Sequence, residues 1–288
     1  MRAGGAWVYE ESGGSGAVLS HEALLEEYLQ GIRFSSERRL GDLVRAMRLP
    51  LLADGEGRVY GLACMEAACD LGLEAKEVLP AAGAVEFAHI ISMIHDALPA
   101  LGRVVPELES YLEDVDQATA ILAGDGFWGE ALGLLTREQR GAPERVLRAV
   151  QELALATGTG GMVGGQSVGL RGVAERPEDV YRLKWGALFR ASARMGAALA
   201  GGTERELDAL GRCAWYAGVC QRISLELDGL IPTEERVFTG MLGRDGALEL
   251  SGEARRSALA ALEDSGIEAR GMRGFLEYVV GVPRRKEG

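Results

Sequence analysis

Two sets of polar residues stand at spacings that could do chemistry. Within Ala84 to Leu98 the apolar positions Ala84, Phe87, Ala88, Ile91, Ile94 and Leu98 follow the spacing of one helix face, which leaves His89, Ser92 and Asp96 together on another. A second helix is expected from about Glu204 to Leu230. It carries a stripe of Leu207, Leu210, Ala214 and Ala217, with Gln221, Ser224 and Asp228 at i, i+3 and i+7 near its end. Carboxylates such as Asp96 and Asp228 are ligands for hard cations, but a cation needs several clustered oxygens to offset the loss of its water. His89 and His95 lie on a largely apolar helix, where the ordinary reading is a neutral, hydrogen-bonded core imidazole. Asp96 at a helix C-terminal end opposes the helix dipole, which hints at an inherited or functional reason for it.

Other patterns carry less. The glycines from Gly158 to Gly165 lack the Gly-Lys-Ser/Thr ending of a phosphate loop and follow no strand, so close helix packing is their expected use. Gly124-x-Gly126-x-x-Gly129 matches a dinucleotide fingerprint only formally, because the Ala118 to Leu122 run before it continues a helical period. The acids Glu107, Glu109, Glu113, Asp114 and Asp116 read as a solvated face. Cys64, Cys69, Cys213 and Cys220 have neither C-x-x-C nor zinc-finger spacing and are expected to be buried thiols of a cytoplasmic protein.

The elements that must position these residues are helices. Leu, Ala, Glu and Arg dominate beside glycine, aromatic residues are only 6% and β-branched runs are scarce. Gly and Pro punctuation near Gly55 to Gly61, Leu79 to Pro80, Pro99 to Pro106, Gly141 to Pro143, Gly172 to Pro177, Gly201 to Gly202 and Pro232 divides the chain into roughly ten helices. No repeat marks a solenoid, so one closed bundle over residues 20–283 is expected, with its first helix capped by Ser20. Residues 1–19 and 284–288 read as loose tails. A formal charge of -12 argues against a nucleic-acid partner. No apolar run approaches the roughly 18 residues of a membrane span, and no secretion signal opens the chain, so neither a transmembrane segment nor export is expected.

The segment from Leu79 to Leu135 resembles the core of the trans-isoprenyl (polyprenyl) diphosphate synthases. The resemblance is carried by Leu79-Pro80 through Phe87-Ala88-His89, then Ile91-Ser92-Met93-Ile94-His95-Asp96-Ala97-Leu98-Pro99, then Ala118-Thr119-Ala120-Ile121-Leu122-Ala123-Gly124-Asp125. Gly164-Gly165-Gln166-Ser167-Val168 looks like that family's G-G-Q-x-x-D, and Tyr181-Arg182-Leu183-Lys184-Trp185-Gly186-Ala187-Leu188 like its Lys-Thr helix. The similarity runs from about Leu49 to Val279. It implies an all-α, class I isoprenoid synthase-type helical bundle around a central cavity.

The same resemblance implies where this chain departs from the family. Two D-D-x-x-D motifs hold Mg²⁺ against an allylic diphosphate in such enzymes. Here the first retains only Asp96, followed by Ala97 and with Gly102 at its end, and the second retains only Asp228, with Ser224 and Leu225 at its leading positions. Arg45-Ala46-Met47-Arg48-Leu49-Pro50 stands where a Gly-Lys-Arg-x-Arg-Pro run is expected, no Arg-Arg-Gly follows the first acids, Gly169 replaces an acid, and Trp185 replaces a threonine. His89, Lys184 and Gln221 keep the positions of substrate contacts, with Arg103 or Arg222 as further point charges near a phosphate. Asp96 and Asp228 are the remnants of the metal site, and no cofactor is expected unless the protein is active, when it would need Mg²⁺.

The expected function is a catalytically degenerate partner subunit of an active prenyl synthase, or a homodimer that binds an isoprenoid ligand. The alternative is a prenyltransferase or terpene synthase-like enzyme with altered chemistry on isoprenoid diphosphates. A third reading is a helical binder of an unrelated apolar ligand.

Overall fold

The computed structural model describes residues 15–52, 57–101, 111, 113–171, 177–231 and 236–281. Among them every regular element is helical. The α-helices are α1 (Ser15–Gly31), α2 (Gly41–Leu52), α3 (Val59–Asp70), α4 (Leu79–Ala97), α5 (Gln117–Gly133), α6 (Pro143–Thr157), α7 (Met162–Arg171), α8 (Pro177–Tyr181), α9 (Ala187–Ala200), α10 (Glu204–Leu227), α11 (Phe238–Ser265) and α12 (Arg270–Val280). Five-residue π-helical turns, Leu134–Glu138 and Arg182–Gly186, extend α5 and join α8 to α9.

The bundle is layered by how apolar each helix is. In α3 all ten residues from Val59 to Ala68 are buried, and in α9 every residue from Leu188 to Leu199 is buried except Arg190, so neither has the polar face of a surface helix. Helix α9 packs on α3, α6 and α10, and α4 lies between α3 and α5. The crossing of α9 on α3 is close. A Cβ added at Gly196 would stand 1.9 Å from the carbonyl oxygen of Cys64, so only glycine lets the two backbones approach this far. Helix α6, by contrast, presents Leu147 to solvent while burying Ala149 and Leu153.

Ends of helices follow local chemistry. Pro80 sits in the first turn of α4, where a missing N–H costs nothing. Thr203 and Glu206 form a reciprocal capping box at the start of α10, with Thr203 N donating to Glu206 Oε2 at 2.7 Å.

Several expectations need correction. The first helix begins at Ser15, and Ser20 lies inside it, donating its Oγ to Ala17 O at 2.7 Å instead of capping. Burial of Val18 explains the earlier start, because that residue packs into the core from the first turns. Gly61 does not interrupt the chain but lies within α3, facing Leu25 and Glu86. Among the described residues one stretch, Ala75–Ala97, is long and apolar enough to cross a membrane, with mean hydropathy 1.4. It is the bundle's interior helix, 72% buried, which is why it is so apolar. Of the expected tails, residues 15–19 belong to α1, whereas residues 1–14 and 284–288, like Arg103, Glu107 and Glu109, lie outside the described residues.

Candidate functional site

The α4 face that carries His89, Ser92 and Asp96 meets α7 and the π-helical turn before α9. A Cβ at Gly165 would lie 2.5 Å from Lys184 N, so this glycine lets α7 press directly on the turn. Gln166, next along α7, is buried and ties the two helices together. Its Nε2 donates to Ser92 O at 3.2 Å and to Ser92 Oγ at 3.3 Å, and its Oε1 lies 3.2 Å from His95 Nδ1. An amide oxygen only accepts, so His95 carries a proton on Nδ1 in this bond.

The π turn swings Lys184 inward. Its side chain is 0% exposed, and its Nζ donates to Asp96 Oδ2 at 2.5 Å across 88 positions of sequence. The ammonium also lies 4.5 Å from the ring centroid of Trp185, and the Arg222 guanidinium lies 4.4 Å from that ring. Arg222 in turn donates to Glu226 Oε1 at 3.1 Å. The acid that resembles a metal ligand is therefore held by a buried cation.

The His89 ring packs tilted against Tyr60, centroids 4.7 Å apart, and Tyr60 packs tilted against Phe189 at 4.4 Å. Burial pushes the imidazole pKa down to about 4, helped by the charges of Arg58 and Lys184 and opposed by Asp96. It is neutral near pH 7, and can donate or accept one hydrogen bond per nitrogen but carries no charge to an anion.

On α10, Gln221 is buried and its Nε2 has no hydrogen-bond partner among the described residues. Asp228 is the C-cap of the same helix, its N–H bonded to Ser224 O. The fold thus brings Asp96 and Lys184 into contact, sets His89 within their electrostatic reach, and places Gln221 and Asp228 on one neighbouring helix.

Some residues singled out for charge have structural work. Asp116 caps α5, accepting from Thr119 N at 3.1 Å, and Asp114 pairs with Arg45 at 3.1 Å. Arg48 donates to Ile32 O and faces the Phe34 ring. Gly124, Gly126 and Gly129 all lie within α5, which has none of the strand-to-helix geometry of a dinucleotide site. The cysteines are free; Cys64, Cys213 and Cys220 are buried, Cys69 partly so, and burial pushes the Cys64 and Cys213 thiols up to about 12.

Sequence reasoning passed over Glu226. It is 1% exposed, and beyond Arg222 it accepts from the N–H groups of Val237, Phe238 and Thr239 and from Thr239 Oγ1. The Arg222 to Glu226 spacing of i, i+4 was the available signal for half of this arrangement.

No family model matches the sequence. The chloroplastic geranylgeranyl pyrophosphate synthase 11 of Arabidopsis thaliana is 36% identical over 239 residues, covering 76% of this chain and 64% of that protein. A solved structure provisionally assigned as a farnesyl-diphosphate synthase, from Marinomonas sp. MED121, superposes with a TM-score of 0.75 at 28% identity, over 95% of this chain and 100% of that one. The chain belongs to the trans-isoprenyl diphosphate synthase family. Its fold is the family's all-α, class I bundle. Another relative, large subunit 1 of a chloroplastic heterodimeric geranylgeranyl pyrophosphate synthase of Arabidopsis thaliana, is 40% identical over 192 residues, 60% of this chain and 50% of that protein. The chain therefore spans about two thirds of the length of the first of these plant relatives and half of the second.

The family implies Mg²⁺ held by clustered carboxylates. Among the described residues no three His, Cys, Asp or Glu side chains come together in a way that could hold a metal ion, and Asp96 is already neutralised by Lys184. The described donors do not fit such an ion.

Proposed function

We propose that this chain is a catalytically degenerate prenyl synthase-like protein, serving in the cytoplasm as a non-catalytic subunit or isoprenoid-binding partner of an active prenyl synthase. The observation that carries the reading is the 2.5 Å contact of the buried Lys184 ammonium with Asp96. A lone carboxylate paired with a fixed internal cation has no surplus charge for Mg²⁺, and Ala97 beside it supplies no oxygen from its side chain. A broken metal site leaves the outer helices untouched, so assembly can persist where turnover does not.

A partner subunit also needs a surface. Ile121 and Leu122 on α5 are 50% and 56% exposed, and Leu147 on α6 is 60% exposed. Large aliphatic side chains left in water on consecutive helices are suited to burial against another chain.

The test is incubation of the purified protein with Mg²⁺, isopentenyl diphosphate and allylic diphosphates of several lengths, following pyrophosphate release and chain elongation. The same protein is then mixed with an active prenyl synthase and examined for co-elution and for a changed rate or product length. No turnover alone, together with co-elution and an altered product, is expected. Mg²⁺-dependent turnover that falls when Asp96 or Asp228 becomes Asn would overturn the reading in favour of an active enzyme with altered chemistry.

A further inference from the structure

A groove of 630 Å³ opens between α6, α9 and α10, and neither Asp96 nor Lys184 is among the residues that line it. Arg182, Arg190 and Arg212 line it, together with the more buried Arg148 and Arg194. Beside it lies a smaller cleft of 240 Å³ whose walls include Tyr181, Val219, Phe238, Leu250 and Ala254. Trp215 and Tyr216 line both cavities, so one aromatic wall separates a cationic space from a mostly apolar one, whose lining also includes Glu253 and Ser257. The rings of that wall meet edge to face, with centroids 4.9 Å apart.

The arginines of the groove are held by carboxylates, but unevenly. Arg148 and Arg194 share Glu152 and Glu204, and Arg194 is forked on Glu152 at 2.8 and 2.9 Å. These two are committed. Arg190 and Arg212 instead divide one carboxylate, Asp208, at 2.8 and 3.2 Å, with Asp264 a further 3.5 Å contact of Arg212. Among the described residues Arg182 meets Asp179, at the long distance of 3.9 Å, and its side chain is 59% exposed. A guanidinium has five N–H donors, and exposed pairs of this kind are weak, so these three retain capacity for a second anion.

We propose that the groove and cleft together form one surface site for a small amphipathic organic anion, with a phosphate-type head between Arg182, Arg190 and Arg212 and a short apolar body in the aromatic cleft. Small-molecule sites generally enclose roughly 300–1,000 Å³. The groove reaches that size and the cleft does not, so the cleft admits only a short tail. Planar forked donors suit a phosphate head, and the aromatic wall suits the first carbons of the tail. The ring of Tyr181 lines the cleft, while its phenol oxygen is buried and has no hydrogen-bond partner among the described residues. This assignment is independent of whether the interior site turns over.

Octyl phosphate is the probe, with inorganic phosphate supplying the head alone and octyl glucoside supplying the tail alone. Binding is followed by tryptophan fluorescence of the full chain below the micelle concentration of each amphiphile. Saturable binding of octyl phosphate is expected, at least tenfold tighter than either half-ligand. The fluorescence change should largely vanish in Trp215→Phe while calorimetry still detects binding. Arg182→Gln with Arg212→Gln, both exposed, should weaken octyl phosphate at least tenfold and leave octyl glucoside unchanged. Ser257→Leu, at the edge of the cleft, should weaken octyl phosphate and leave inorganic phosphate unchanged. Equal binding of octyl glucoside and octyl phosphate, no saturation on the native chain, or full affinity in the folded double arginine variant would each overturn the proposal. Uptake of acidic phosphatidylglycerol vesicles without binding of free octyl phosphate would assign the cations to a membrane surface and overturn it equally.

Discussion

At Lys184 a single residue decides what the interior can do. A fully buried ammonium is stable only with its charge met, and Asp96 meets it from 88 positions away. Lys184→Met should leave Asp96 without its cation, and Asp96→Leu should leave Lys184 charged inside the protein. Each single change is expected to cost about 3–5 kcal/mol, whereas the double variant should recover most of that loss. Urea unfolding of the four proteins measures the coupling, and additive losses would dissolve the pair as a unit. His89 adds a pH signature. Its folded pKa of about 4 lies below its ordinary 6.5, so its contribution is present above pH 6.5 and is lost as pH falls from 6.5 towards 4, by ~3 kcal/mol. Asp70 acts in the opposite sense. Burial raises it from 3.8 to about 6 despite N–H donors from Gly271 and Met272, so its ionisation costs stability above pH 6 and that cost disappears as pH falls to 3.8. Melting temperatures from pH 4 to 8 should therefore fall less steeply on acidification in His89→Gln than in the native protein, and more steeply in Asp70→Asn.

Helices here are joined by polar groups that reach out of one element to finish another. Glu226 belongs to α10, yet it receives three backbone N–H groups at the beginning of α11, the groups that no intrahelical carbonyl can satisfy. Its negative charge also faces the positive end of that helix. Glu226→Ala should cost about 3 kcal/mol and raise amide hydrogen exchange chiefly in the first turns of α11, with α3 and α9 staying protected. Uniform loss of protection would instead make Glu226 a general core residue. The Arg222 end of this link was readable as an i, i+4 pair, but the α11 end was not, because it forms between segments 11 to 13 residues apart after a change of chain direction. Likewise, Ser20 is a sound cap by residue type. Burial of Val18 and contacts of α1 with α12 and α3 extended the helix past it.

For the molecule as a whole, the proposed partner role places its weight on the exposed aliphatics of α5 and α6. Leu122→Glu combined with Leu147→Glu should leave helicity and melting temperature nearly unchanged and abolish co-elution with an active synthase, reducing association at least tenfold in light scattering. Retained association would move the interface elsewhere. The sequence by itself determined the helical class and the family, because aliphatic periods of 3.6 and an ordered series of motif residues survive without knowledge of contacts. It also named Asp96, Lys184, His89, Gln221 and Asp228 as the residues to watch. Which of them touch was decided only by the tertiary structure. The π turn and the glycine contact of α7 direct Lys184 onto Asp96, Gln166 onto Ser92 and His95, and Arg222 onto Trp185. The joining of an arginine groove to an aromatic cleft has the same origin. Its residues come from five helices and a π turn, and pairings between distant segments are fixed by packing and desolvation, which no local period records.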